Sequence, residues 1–155
     1  MKWAILVLTV SVALLLAISL LWSVPDPYET LHRALRAPDQ HLAELRQLAH
    51  REDAAGWVAR RELSKVLLAR GESASSLALL QEAVALHDAK EARALLAQAL
   101  EAAGRPEEAL QEWKKLLPSA QAVEAVLRLE RDGLSAARSL VAAGAYAQAL
   151  TALSG

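Results

Sequence analysis

Apolar residues in the middle of the chain recur with the spacing of one face of an α-helix. Between residues 91 and 103 they fall at i, i+3, i+4, i+7, i+8 and i+11, at Ala92, Leu95, Leu96, Ala99, Leu100 and Ala103. Gly104 ends this helix, because glycine adopts the left-handed conformation without a Cβ clash. Pro106 suits the first turn of a second helix, whose apolar stripe is Ala109, Leu110, Trp113, Leu116 and Leu117. The pattern predicts two antiparallel helices joined at Gly104.

The same pattern occurs once earlier and once later in the chain. The earlier copy comprises Trp57, Leu63, Leu67, Gly71, Ser76, Leu80 and Ala83, and the later one Ala137, Leu140, Gly144, Tyr146 and Ala149. The turn glycines are 104 − 71 = 33 and 144 − 104 = 40 residues apart. The longer interval is accommodated if residues 119–131 form an additional helix.

These copies resemble the tetratricopeptide repeat, whose period is ~34 residues. The resemblance is carried in the second copy by Ala97, Leu100, Gly104, Ala109 and Trp113, and in the others by Gly71, Gly144 and Ala149. It covers residues 55–153 and implies an all-α solenoid of helical hairpins without a cofactor. The alternative is a plain helical bundle in which the glycine spacing is a coincidence.

In the tetratricopeptide family, the first helices of the hairpins line a face that binds peptides or partner helices. The resemblance therefore implies a partner groove lined by Arg61, Lys65, Gln98, Glu101 and Arg138. Two cations at i and i+4 favour an acidic peptide or helix as the ligand. The alternative is that these side chains are ordinary solvated charges. Some family members clamp a peptide carboxylate with lysine and asparagine, but this chain has no asparagine.

The amino-acid composition narrows the choice of fold class and of binding partner. The chain of 155 residues is 54% apolar and has no phenylalanine, which favours helix over sheet. A net charge of −1 lacks the basic footprint of nucleic-acid binding, so we expect no nucleic-acid partner. The absence of cysteine excludes disulfides, thiol nucleophiles and thiolate metal sites.

The first part of the chain has the character of a membrane span. Residues 3–24 contain no charge, and Trp3 and Trp22 would lie roughly 28 Å apart along a helix, near the thickness of a bilayer core. The run is longer than the apolar region of a signal peptide, which is ~7–15 residues. We therefore expect residues 1–24 to be an uncleaved anchor that contacts the lipid bilayer, with a cleaved signal peptide as the alternative.

The residues flanking the anchor predict its orientation. Lys2 precedes the span and the acidic segment 25–29 follows it, so the N-terminus should be cytoplasmic and the rest extracytoplasmic. Within the span, Thr9, Ala13 and Ala17 recur every four residues, a spacing that lets two transmembrane helices pack closely. Such residues are also common in any transmembrane helix.

The remaining chain divides into two parts. Residues 25–52 predict two short membrane-proximal helices that do not match the repeat and would cap its first hairpin. Residues 53–155 hold the repeats. The last helix is short and has no charged residue after Arg138, so we expect either that the native protein continues beyond Gly155 or that this end docks onto a partner or a second copy.

No constellation of residues predicts catalysis or a metal site. The histidines, His32, His41, His50 and His87, lack the spacing of three or four that two ligands on one helix need. The segment beginning at Gly133 has the glycine and serine of a nucleophile elbow, but no strand precedes it. Carboxylates such as Glu107, Glu108 and Glu112 suit a solvated helix face rather than acid–base chemistry.

The sequence thus favours a non-enzymatic scaffold anchored in the bacterial inner membrane, single-pass, which binds other proteins of the cell envelope in the periplasm. One alternative is that the chain is the N-terminal solenoid of an envelope enzyme such as a lytic transglycosylase. Another is an adaptor that faces the cytosol, with the topology reversed.

The anchor can be tested by fractionation of membranes. We expect the full-length chain to stay in the membrane after carbonate extraction, with its C-terminal part open to external protease, because residues 3–24 are uncharged and an acidic segment follows them. A soluble mature chain that begins near Leu20 or Val24 would contradict the anchor. Protection from external protease would contradict only the orientation.

Overall fold

The structure, a computed structural model, describes residues 26–154 and, before them, only Val12 and Leu14. Residues 26–154 form nine α-helices and no strand, so the predicted all-α class is confirmed for this part of the chain. In order they are α1 (Pro27–Arg36), α2 (Leu42–Ala49), α3 (Ala54–Ala69), α4 (Ser73–Leu86), α5 (Lys90–Ala102), α6 (Pro106–Lys115), α7 (Ala120–Leu129), α8 (Gly133–Ala142) and α9 (Tyr146–Ser154).

The predicted anchor lies, apart from those two positions, outside the described residues. The same holds for Thr9, Ala13 and Ala17 and the packing predicted for them. Among the helices that the structure does describe, none is both long enough and apolar enough to cross a bilayer.

Three hairpins share one turn geometry. Gly71, Gly104 and Gly144 have φ values of 78°, 73° and 79°, a region that side chains with a Cβ avoid. The residue after each glycine donates its N–H to a leucine carbonyl five residues earlier, at Leu67, Leu100 and Leu140, over 2.8–2.9 Å. This is the Schellman arrangement, which satisfies carbonyls left unpaired at a helix end. The turns therefore join α3 to α4, α5 to α6 and α8 to α9 in the same way.

Each hairpin crosses at small, buried residues. The position seven residues before the glycine is Ser64, Ala97 or Ala137, and the position five residues after it is Ser76, Ala109 or Ala149. Small side chains let two helix backbones come close, and in the first hairpin the Ser76 hydroxyl donates to the Ser64 carbonyl over 3.0 Å. The crossing of each pair is therefore set by these positions.

The helices stack in two rows. Consecutive helices pack from α1 to α7, and α1 also contacts α3, which contacts α5, so α1, α3 and α5 form one row. We call α2, α4 and α6 the other row, because each of them packs on the helices before and after it in the chain. The pair α1–α2 thus joins the stack with the same alternation as the repeats, although its sequence does not match them.

The helix predicted between the second and third copies is present as α7. The Ser119 hydroxyl accepts from the Ala122 N–H at its first turn, and the Asp132 carboxylate caps α8 by accepting from the Leu134 and Ser135 N–H groups. Helix α7 packs on α6 and contributes Ala122, Ala125 and Val126 to the central apolar cluster. It accounts for the longer interval between the last two glycines.

The expectation that Glu112 lies on a solvated face was wrong. Its side chain is 15% exposed and accepts hydrogen bonds from Arg93 of α5 and from Lys115. Arg93 also pairs with Asp88, just before α5. Glu112 of α6 therefore links the two helices of the second hairpin through its ion pair with Arg93 of α5.

The crossing positions predict a sharp difference between two identical substitutions. Ala109→Asp should destabilise the fold by about 3 kcal/mol or more, because Ala109 is fully buried and a carboxylate there would have no partner. Ala78→Asp, at an exposed position in the middle of α4, should change stability by about 0.5 kcal/mol or less, beyond the modest helix-propensity loss. Thermal melting followed by circular dichroism measures both. Equal shifts for the two variants would contradict the hairpin packing.

Candidate partner-binding site

The predicted groove residues lie on the first helix of each hairpin. Arg61 and Lys65 are on α3, Gln98 and Glu101 are on α5, and Arg138 is on α8. Lys65, Gln98 and Arg138 each precede their turn glycine by six residues (71 − 65, 104 − 98 and 144 − 138). They are equivalent positions of the three hairpins, and each is exposed or half-buried.

A polar cavity of about 290 Å³ opens between α5 and α7. Trp113 of α6 lines it together with residues of the two helices, namely Gln98, Glu101, Gln121, Glu124, Ala125 and Arg128. Gln98 and Glu101 thus line the same cavity. Sequence reasoning missed the residues from α7, since that helix falls outside the repeat pattern. The spacing of Gln121, Glu124 and Arg128 at i, i+3 and i+7 marks one helix face and was the available signal.

Glu101 is the electrostatic centre of this cavity. Arg128 donates to its two carboxylate oxygens over 2.6 Å and 3.2 Å, and the Trp113 indole donates to it over 2.7 Å. Partial burial opposes the charged form, but the hydrogen bonds from Arg128 and Trp113 outweigh it and hold the pKa of Glu101 below its ordinary value. Glu101 is thus an ionised link between α5, α6 and α7.

Three side chains of the cavity remain available to a ligand. Gln98, Gln121 and Glu124 make no side-chain hydrogen bond to other residues in the part of the chain that the structure describes. Amide and carboxylate groups of this kind can pair with the backbone N–H and C=O groups of an extended peptide. The cavity therefore combines a fixed ion pair with adaptable polar walls.

Arg61 and Lys65 are neutralised in part by a residue between them. Both donate to Glu62, Arg61 over 2.8 Å and Lys65 over 2.9 Å and 3.1 Å. The repulsion between the two cations therefore needs no acidic ligand to offset it. Lys65 remains about half exposed, while the Arg61 guanidinium lies 5.0 Å from the centre of the Trp57 ring.

A second cavity lies beside Trp57. Its volume is about 460 Å³, and Val58, Leu86, His87 and the acidic residues Glu52 and Asp53 are among the residues that line it. The Trp57 ring meets the edge of His87 at 5.4 Å, and its buried indole N–H has no acceptor within residues 26–154. This cavity is more apolar than the one between α5 and α7 and lies at the start of α3.

Arg138 stays apart from these cavities. It is exposed on α8, which packs on α9 and meets α7 over a small area, and it lines neither the Glu101 nor the Trp57 cavity. Its place in a common groove with Gln98 and Glu101 remains a prediction.

The titratable groups are arranged for ion pairing. Hydrogen bonds from Arg51, Arg93 and Ser135 lower the pKa of Asp53, Asp88 and Asp132 respectively, which keeps these carboxyl groups ionised at neutral pH. Within the described part of the chain, no three histidine or carboxylate side chains lie close enough to hold a metal ion.

Gly133 has a packing role at the start of α8. A Cβ at this position would lie 2.5 Å from the Ala152 carbonyl oxygen of α9, so the close approach of the two helices requires glycine. Ser135 follows in the first turn, where its hydroxyl donates to the capping Asp132. The glycine and serine that resembled a nucleophile elbow thus serve the helix start.

Comparison with known proteins assigns no role to these residues. No protein-family model, no curated protein and no solved structure matches the chain.

The link through Glu101 predicts a pH-dependent stability. Because its pKa is lowered in the folded state, its contribution is present above the ordinary glutamate pKa of about 4.3 and is lost as the pH falls through the folded value. Glu101→Gln should therefore lower the melting temperature at pH 7 and have less effect at pH 3. Glu124→Gln, in the same cavity but without a hydrogen bond to the described residues, is the control. If Glu101→Gln lowered the melting temperature as much at pH 3 as at pH 7, the ionised link through Glu101 would be refuted.

Proposed function

We propose that the chain is a membrane-anchored scaffold whose tetratricopeptide-like repeats bind a segment of another protein along α3, α5 and α7. The observation that carries the proposal is the cavity between α5 and α7, where Gln98, Gln121 and Glu124 border a fixed Glu101–Arg128 pair. The Glu101–Arg128 pair is already formed without a ligand, and the neighbouring amides have no partner among the described residues. Such a surface can bind the polar backbone of a protein segment with little rearrangement of the ion pair.

The ligand we propose is an extended or helical protein segment rather than a small molecule. The cavity is shallow and polar, and binding sites for small molecules are mostly apolar and enclose their ligand. Helices α3 and α5 are in contact and carry equivalent side chains at Lys65 and Gln98, which suits a ligand that runs across more than one hairpin. Lys65 adds a cation on α3, which favours a ligand with an acidic group.

The place of action we propose is the bacterial inner membrane, with the repeats extracytoplasmic. This rests on the uncharged run of residues 3–24, Lys2 before it and the acidic segment after it. A short anchor followed by a helical stack would hold the groove near the membrane surface, within reach of other envelope proteins.

The groove can be tested by affinity purification of the full-length chain from detergent-solubilised membranes, with co-purified proteins quantified by mass spectrometry. We expect Lys65→Glu and the double variant Gln98→Ala/Gln121→Ala each to reduce the specific partners about tenfold, since a tenfold change corresponds to about 1.4 kcal/mol and one or two polar contacts are worth about that much together.

Lys115→Glu is a matched control. Lys115 pairs with Glu112 three residues before it, as Lys65 pairs with Glu62, and the two lysine side chains are similarly exposed, but Lys115 lies on α6 in the other row. The control should keep the partners. Equal loss in all three variants, or no loss in any, would contradict a groove on α3, α5 and α7.

A further inference from the structure

The cavity beside Trp57 has an equivalent in the second hairpin. This second cavity, of about 180 Å³, lies at the start of α5. Three of its residues stand 33 positions after residues that line the first cavity, namely Lys90 for Trp57, Glu91 for Val58 and Ser119 for Leu86 (90 − 57, 91 − 58 and 119 − 86). The interval is the one between the first two turn glycines, so the two cavities occupy the same place in their hairpins.

The two cavities differ in their side chains. The second contains the opposite charges of Lys90 and Glu91. The first has apolar side chains at those two positions, and the described residues that line it include the carboxylates of Glu52 and Asp53 but no lysine or arginine. Its volume of about 460 Å³ falls in the range of ligand pockets, roughly 300–1,000 Å³, which are mostly apolar with a few polar groups. The first cavity thus has the composition of a binding pocket.

Glu52 supplies this cavity with a carboxylate that is not engaged in an ion pair. Asp53 accepts two hydrogen bonds from the Arg51 guanidinium, over 2.6 Å and 2.9 Å, and a third from the Gly56 N–H. The Glu52 side chain is exposed and makes no hydrogen bond or ion pair with other residues between 26 and 154. The cavity therefore carries one negative charge that is not balanced, which favours a cationic ligand.

The segment that carries Glu52 is held against α3. The buried Arg60 guanidinium donates to the Arg51 carbonyl oxygen over 2.7 Å and to Glu82 over 3.2 Å. A Cβ at Gly56 would overlap the same carbonyl oxygen, so this close approach requires glycine. Because the residues on both sides of Glu52 are fixed in this way, the wall of the cavity is formed without a ligand.

An apolar wall, an indole ring and one unbalanced carboxylate together suit an arginine side chain. The methylene stem of arginine is apolar, and its guanidinium is planar, weakly hydrated and able to stack on aromatic rings. Trp57 already makes such a contact, since the Arg61 guanidinium lies 5.0 Å from the centre of its ring. We propose that the cavity binds an arginine side chain of a partner protein, with the stem against Trp57 and Leu86 and the guanidinium beside Glu52.

The partner is a protein because Trp57 lies on the helix face that the proposed segment would follow. Trp57, Arg61 and Lys65 are spaced at i, i+4 and i+8 along α3, which spans about 12 Å. Arg61, between the other two, is paired with Glu62. A segment on this face would place an acidic group near Lys65 and its arginine near Glu52. The protein source thus rests on the proposed function, whereas the arginine pocket does not.

Titration of the full-length chain in uncharged detergent with N-acetyl-arginine N-methylamide tests the pocket alone, because this probe presents one arginine side chain without charged termini. The indole N–H signal of Trp57 in two-dimensional NMR spectra, assigned by its loss in Trp57→Phe, should shift to saturation. Glu52→Gln should weaken binding about fivefold, the scale of a partly exposed ion pair. The citrulline derivative, which has nearly the same shape without the charge, should bind more weakly by a similar factor.

Glu91→Gln is the matched control. Glu91 is an exposed carboxylate of the equivalent cavity, so its loss should leave binding of the probe unchanged. Both glutamates are exposed, and circular dichroism should show the helix content of both variants unaltered. Equal weakening by the two variants, equal binding of the arginine and citrulline probes, or the absence of a saturable shift overturns the pocket. A lysine derivative that binds as tightly as the arginine probe overturns the choice of a guanidinium.

Affinity purification from membranes, as for the groove, tests the protein source. Glu52→Gln should reduce the partners that Lys65→Glu reduces, again about fivefold. If the probe binds but Glu52→Gln keeps every partner, the protein source is overturned and the groove stands. If Lys65→Glu and the double variant at Gln98 and Gln121 keep the partners, the proposed function and the protein source fail together, while the titration alone decides the arginine pocket.

Discussion

Close approach of two helices at small residues is the constraint on which the stack depends. A hairpin that crosses at Ala97 and Ala109, or at Ser64 and Ser76, can place its larger leucines and Trp113 outward against the next helix. A larger side chain at the crossing would separate the pair and move that outward face. The turn glycines act on the same geometry, because their left-handed conformation helps to reverse the chain within the three residues between the helices of a hairpin.

Much of this fold could be predicted from the sequence because its signals are local. The apolar spacing, the glycine at each turn and Pro106 at a helix start each report the conformation of their own neighbourhood. The role of Glu112 could not, because it depends on Arg93 of a different helix being opposite to it. The packing of α1 and α2 onto the stack could not be predicted either, because helices can alternate in the stack without sharing the repeated sequence.

In the candidate site too, features set by local sequence could be predicted, and contacts between distant helices could not. Gln98 and Glu101 could be predicted because their spacing from Gly104 places them on the first helix of a hairpin. Arg128 lies 27 residues from Glu101 on a helix outside the repeat, and only the packing of α7 on α6 brings the two together. Glu62 was missed for a different reason, because a residue between two cations can reach both only when their rotamers turn towards it.

The proposed groove and the face of α9 differ in chemistry. The groove on α3, α5 and α7 is lined by charged and amide side chains, whereas Tyr146, Leu150 and Leu153 of α9 are large, uncharged and exposed. Charged and amide groups can pair with the polar backbone of a ligand, and leucine side chains cannot. The residues proposed for the groove belong to α3, α5 and α7, so the two surfaces share no side chain.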